Sequence, residues 1–120
     1  MATIKSYTDI KQSKKLAEIL PIESADMFYT TNSDYKGKII GLLDMPLYIG
    51  SDGFVDTEMG EIYAWSLAAL FDILPNGNML VKTTDGEYYC LAKDVMTKHY
   101  DNSVDACVDM IKRLHELNLL

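Results

Sequence analysis

The sequence predicts an α+β fold: three main helices packed with a small, largely antiparallel sheet that contains a β-hairpin over 79–92. Three observations point that way. Apolar residues recur at helical spacing in three separate stretches, near 10–20, 64–74 and 104–117. Asp85-Gly86 separates two short runs rich in β-branched and aromatic residues, which is a hairpin signal. With 48% hydrophobic and 24% charged residues in a chain of 120, the composition is that of an ordinary globular domain, expected to span 1–120 as one unit.

The first helix is expected to start at Thr8 or Asp9, both competent caps, and to end at Pro21. Leu16, Ala17 and Leu20 form its apolar stripe, extended by Ile10 and Ile19. Lys11, Lys14 and Lys15 stand away from that stripe, as a solvated face or one that meets an anion. Residues 23–26 read as a turn or a short capped helical turn, Met27-Phe28-Tyr29 as an apolar tether and 30–37 as a polar loop. A buried strand is expected over 38–43. Leu47-Tyr48-Ile49-Gly50 and Gly53-Phe54-Val55-Asp56, joined through Ser51-Asp52, suggest a second hairpin.

The stretch from Ala64 to Pro75 is the most apolar in the chain and reads as a helix covered on most sides. Ser66 is its N-cap, Trp65 and Leu70 form a hydrophobic staple, and Pro75-Asn76-Gly77 stops it. In the hairpin that follows, a two-residue turn at Asp85-Gly86 would set Val81 opposite Cys90, Thr83 opposite Tyr88 and Met79 opposite Ala92 on the core face. Leu80 and Lys82 would then face outward. The last helix should start at Asn102 or Ser103 and carry an Asp109–Arg113 pair in favourable order. Its apolar arc includes His115, the one ionisable group expected to face inward.

Charge is unevenly spread. The net charge is −7, yet residues 39–81 contain no Lys or Arg and hold Asp44, Asp52, Asp56, Glu58, Glu61 and Asp72. An acidic chain lacks the clustered cations that neutralise phosphate, so nucleic acid is a poor partner and a basic protein a better one. Asp44, Tyr48, Asp52, Phe54, Asp56, Glu58, Glu61 and Tyr63 together suggest an aromatic patch rimmed by carboxylates. The bland alternative is that acidic loops keep a small protein in solution. Calcium at Asp52, Asp56 and Glu58 lacks the residue order of an EF-hand loop.

No motif specifies a reaction. The chain has no Walker loop, no G-x-G-x-x-G and no nucleophile elbow. Cys90 and Cys107 lack ligand spacing and read as buried thiols; no metal or cofactor is called for. No apolar run reaches membrane-span length, and the N-terminal residues lack the apolar core of a signal peptide, so a cytoplasmic location is expected, with oligomeric state open.

Three blocks carry a resemblance: residues 10–21 continuing to Ser24-Ala25-Asp26-Met27, then Ala64 to Leu70, then Ser103 to Cys107 with Leu114-His115. They resemble a group of small uncharacterised proteins of gut bacteria and their phages or mobile elements. The resemblance implies a bacterial or phage setting and a compact domain encoded as a complete protein, and it carries no activity.

The leading expectation is a non-enzymatic protein–protein interaction or accessory factor. A small enzyme or ligand-binding protein with a pocket near His115, Tyr88 and Tyr89 is one alternative. An acidic inhibitor that mimics nucleic acid is another.

Overall fold

A computed structural model describes residues 5–33, 39–51, 53 and 55–120. The α+β class holds, with three α-helices and small antiparallel sheets. The chain divides into two compact units, Asp9–Trp65 and a second made of Ser66–Leu120 with the residues leading up to Thr8. No helix among the described residues is long and apolar enough to cross a membrane.

The Asp9–Trp65 unit opens with α1 (Ile10–Ile19), capped by Asp9. Asp9 Oδ1 accepts from Gln12 N at 2.7 Å while Gln12 Oε1 accepts from Asp9 N at 3.1 Å, a reciprocal capping box. The buried stripe of α1 is narrower than its apolar pattern suggests. Ser13, Leu16 and Leu20 are buried, whereas Ala17 is exposed. A serine on that stripe is invisible to a reading based on hydrophobicity.

Helix α1 lies against β5 (Ile62–Ala64), the end strand of a sheet ordered β4 (Leu47–Tyr48), β1 (Met27–Tyr29), β5. The expected apolar tether is therefore the central strand. Its register sets Met27 between Tyr48 and Ala64, and Phe28 between Leu47 and Tyr63. The strand β4 pairs with β1, and among the described residues it has no partner in 53–56; Gly53 N donates to Gly50 O at 3.0 Å, while Asp52 and Phe54 of the second expected hairpin lie outside the described residues. Short runs cannot announce which distant strand completes their hydrogen bonding. Trp65 follows β5, fully buried, and its Nε1 donates to Ser24 Oγ at 3.0 Å.

A separate ribbon pairs β2 (Thr31–Ser33) with β3 (Ile39–Leu42), with an irregularity between Asn32 and Ser33. The strand expected near 38–43 is present, but Gly41 is exposed, Leu42 half-buried and Leu43 exposed. Within its sheet it has a single neighbour.

In the second unit α2 spans Leu67–Ile73, with Ser66 Oγ accepting from Ala69 N at 3.2 Å. Both ends fall where the caps predict. Its coverage does not: Leu70 and Leu74 are buried, while Ala68 and Asp72 are exposed and Phe71 is 41% exposed. The helix buries one edge and displays the other. Apolarity alone does not reveal how many neighbours a helix will have.

The main sheet orders β6 (Met79–Lys82), β7 (Tyr88–Ala92) and β8 (Val95–Met96). Its register differs by one residue from the expected one, pairing Met79 with Leu91, Leu80 with Cys90, Val81 with Tyr89 and Lys82 with Tyr88. The loop holds three residues instead of two. Gly86 N donates to Thr83 O at 3.0 Å, Gly86 takes φ +82°, and Thr83 N then donates to Glu87 O at 2.8 Å. That is a turn followed by a left-handed glycine, and the extra residue reverses the faces of β6. Leu80 now shares the face of buried Cys90 and Ala92, against α3 (Ser103–Glu116), while Met79 is 56% exposed.

The strand β8 returns through Lys93 (φ +51°) and Asp94 (φ +63°), a two-residue turn without glycine that sequence reading passes over. Beyond it Thr97 N donates to Cys90 O at 3.0 Å, and Thr97 Oγ1 accepts from Cys90 N at 2.9 Å. Tyr88 and Tyr100 then exchange backbone bonds at 2.7 and 2.8 Å. The residues before α3 thus complete the free side of β7.

Candidate functional site

The acidic middle segment divides by role. Asp56 Oδ1 accepts from Met59 N at 3.2 Å and caps the short 3₁₀ turn Thr57–Met59. Glu61 Oε1 accepts from Asp56 N at 2.7 Å, and its Oε2 accepts from Thr30 Oγ1 at 2.6 Å. These two carboxylates hold a turn together, whereas Asp44 and Glu58 are exposed. Asp52 and Phe54 lie outside the described residues.

Thr30 fastens two segments of this surface. Its carbonyl accepts from Leu43 N at 3.0 Å while its hydroxyl reaches Glu61. Next to these anchors stand Asp44 and Met45 on one side and Glu58 and Met59 on the other, all exposed. Leu47 follows at 51% exposure and Tyr48 at 70%.

Of the three aromatic residues expected together, Tyr48 and Tyr63 do not share a face. Tyr48 is paired with Met27 and Tyr63 with Phe28, and since neighbouring strand residues point to opposite faces, these two tyrosines lie on opposite sides of the sheet. Tyr63 is half-buried and lines a hollow of about 360 Å³ with Ile22, Glu23, Ala25, Ile49 and Gly53. The surface that remains is acidic and aliphatic, with Tyr48 at its edge.

His115, expected to face inward, is exposed, as is every residue after it, while Leu114 beside it is fully buried. Helical angle places His115 above Val108 and Ile111 but says nothing of where the cover stops. Tyr88 and Tyr89 are adjacent on β7 and face opposite ways. Lys82 Nζ lies 5.7 Å from the Tyr88 ring centroid, while the Tyr89 ring stacks on His99 at 4.8 Å with 12° between planes. His99 Nδ1 in turn lies 3.6 Å from Glu87 Oε1.

Cys90 and Cys107 are both buried, facing each other from β7 and α3. Their mutual hydrogen bond, followed by burial, pushes the Cys107 thiol well above its ordinary value. That same bond holds Cys90 below its ordinary value, helped by the backbone at Leu91 and opposed by burial. Neither thiol is accessible to a substrate. Among the described residues no group of three or more His, Cys, Asp or Glu side chains converges as a metal ligand set.

Comparison with protein-family models, with characterised proteins and with solved structures gives no match.

Two features are not anticipated by the sequence pattern. The altered register builds an apolar row across the outer face of the sheet, Met79–Leu91–Met96, with Val81 beside Tyr89. Along α2, an open groove of about 860 Å³ is lined by Leu67, Ala68, Phe71 and Leu74, with Asp72, Asn78 and Leu80 also at its walls. The signal for the groove was present as Phe71 and Asp72 side by side, but it is concealed when the whole helix is assigned to the core.

Proposed function

We propose that this chain is a non-enzymatic interaction protein of a bacterial or phage setting, acting through the acidic, aliphatic surface around Asp44, Met45, Tyr48, Glu58 and Met59. The observation that supports this reading is the double anchoring at Thr30, which ties the 43–48 and 56–61 segments to one residue and leaves their side chains on display. Exposed aliphatic residues set among carboxylates, in a region without Lys or Arg, suit a partner that is basic at its rim and apolar at its centre. Pro46 lies at the margin of β4, where a missing N–H discourages pairing with a further strand. Recognition is therefore through side chains.

The test separates display from support. Asp44→Asn with Glu58→Gln and Tyr48→Ala should leave the fold intact and remove a basic protein captured by the wild type, and moderate salt should release that protein. Identical captured proteins for variant and wild type, in equal amounts, would overturn the reading. Asp56 and Glu61 are unsuitable targets because both hold the turn.

A further inference from the structure

We infer that the open edge of β6, with the groove between it and α2, takes up an extended peptide of a partner protein as an added antiparallel strand, one that turns an apolar and then a basic side chain into the groove. The site belongs to the Ser66–Leu120 unit and stands independently of the acidic surface proposed above.

The main chain of β6 calls for a strand. In an antiparallel sheet each residue directs its N–H and C=O to one side only, and the side alternates along the strand. Tyr88 exchanges both of its groups with Tyr100, while Cys90 accepts from Thr97 N and donates to Thr97 Oγ1, so both turn away from β6. Their cross-strand partners Lys82 and Leu80 therefore direct their own N–H and C=O to the outer edge. Among the described residues nothing bonds to these two donors and two acceptors. Proteins guard such an edge with a proline, a bulge or a lysine that projects across it. Here β6 has no proline, its pairing with β7 runs without a bulge, and the Lys82 ammonium lies 5.7 Å from the Tyr88 ring centroid, over its own sheet.

The groove specifies the side chains. Leu80 lines it from the strand, and Leu67, Ala68 and Phe71 line it from α2, with Phe71 41% exposed. Residues opposite each other across an antiparallel pair share a face, so the peptide residue opposite Leu80 turns its side chain into the groove, toward Phe71. An apolar residue fits that position. Two residues on, the next groove-facing side chain stands opposite Asn78. Asp72 and Asn78 line the groove while no Lys or Arg does, and the chain carries a net charge of −7, so charge complementarity asks for a basic residue there. A second copy of β6, paired so that all four edge residues are satisfied, would instead set its Lys82 opposite Leu80 against the apolar wall.

The experiment titrates the full chain with the acetylated, amidated hexapeptide Thr-Val-Leu-Val-Lys-Thr and follows backbone amide shifts and hydrogen exchange. Binding should saturate with shifts centred on residues 67–82. The Leu80 and Lys82 amides should then exchange about tenfold more slowly, while Val81, already paired with Tyr89, should change little. Methylating the leucine nitrogen of the peptide removes a donor aimed at β6 and should weaken binding about tenfold, whereas methylating the nitrogen of the valine after it, which faces solvent, should leave affinity unchanged. Glutamate in place of the peptide lysine should weaken binding roughly fivefold. Lys82→Pro removes an outward N–H and no bond to β7, so it should abolish binding with an unchanged circular dichroism spectrum. Equal affinity of the two methylated peptides for the wild type would show that the main chain is not read and overturn the assignment. So would the lack of saturable binding, shifts centred elsewhere, or a dimer of the free protein in which Leu80 and Lys82 are already protected.

Discussion

Tyr100 donates its phenolic hydrogen to Asp109 Oδ2 at 2.8 Å, joining the residue that closes the sheet to the second turn of α3. The same carboxylate receives Arg113 Nε at 3.1 Å on each of its oxygens. Burial first, and then the bond to Asp109, pushes the Tyr100 phenol up to about 12. The folded value lies above the unfolded one near 10, so the stability this group contributes is complete below pH 10 and is lost as pH rises through about 12. Titration of tyrosinate absorbance should show a late component in the wild type that Tyr100→Phe removes. Superimposable curves, after allowing for one tyrosine fewer, would contradict this.

Trp65 is fully buried in the Asp9–Trp65 unit and bonded to Ser24. Trp65→Ala should cost about 3–5 kcal/mol, mainly through the cavity left, since the Ser24 hydroxyl keeps its bond to the Pro21 carbonyl. Trp65→Phe retains much of the apolar volume and should cost clearly less. Urea unfolding of the three proteins measures this, and an unchanged midpoint for the alanine variant would mean that Trp65 is not the anchor of its unit.

Gly86 occupies the left-handed region at φ +82°, and a Cβ built there meets nothing within 4 Å. Any cost of substitution is therefore backbone strain alone. Gly86→Ala should destabilise by about 1 kcal/mol, and Gly86→Asn by less, because asparagine tolerates this conformation. If alanine and asparagine cost the same, strain at this turn is not what sets the hairpin register.

These positions also show where sequence reading succeeds. Caps and stops are local chemistry, so Ser66 marks its helix start correctly, and the true caps Asp9 and Asn102 are each one of the two adjacent residues expected. Register and exposure depend on the rest of the chain. Asp85-Gly86 fits a two-residue and a three-residue loop equally, and the choice reverses Leu80 and Met79. His115 obeys the helical pattern and is still exposed, since pattern gives an angle and not the extent of the cover. Of the acidic surface, composition shows the charge, but only the bonds at Asp56 and Glu61 separate carboxylates that support from those that are displayed.

Asn102 gives the sharpest test of local chemistry. Its Oδ1 accepts from Asp105 N at 2.8 Å, and its Nδ2 donates to Asp101 Oδ1 and Asp105 Oδ2, each at 2.8 Å. Asparagine and aspartate are ordinarily about equal as N-caps, and replacement by alanine costs about 1–2 kcal/mol. Here the amide also bridges two carboxylates. Asn102→Asp keeps the cap acceptor but removes both donors and sets a third carboxylate beside Asp101 and Asp105, with Lys5 Nζ on Asp105 Oδ1 at 2.9 Å as partial relief. The aspartate variant should therefore be less stable than wild type at neutral pH. The deficit should shrink as pH falls toward about 4, where carboxylates of this cluster begin to take up protons and their mutual repulsion is relieved. Thermal unfolding of wild type, Asn102→Ala and Asn102→Asp across that range measures the effect, and an aspartate variant matching wild type at neutral pH would show that the amide bridge contributes nothing beyond the cap.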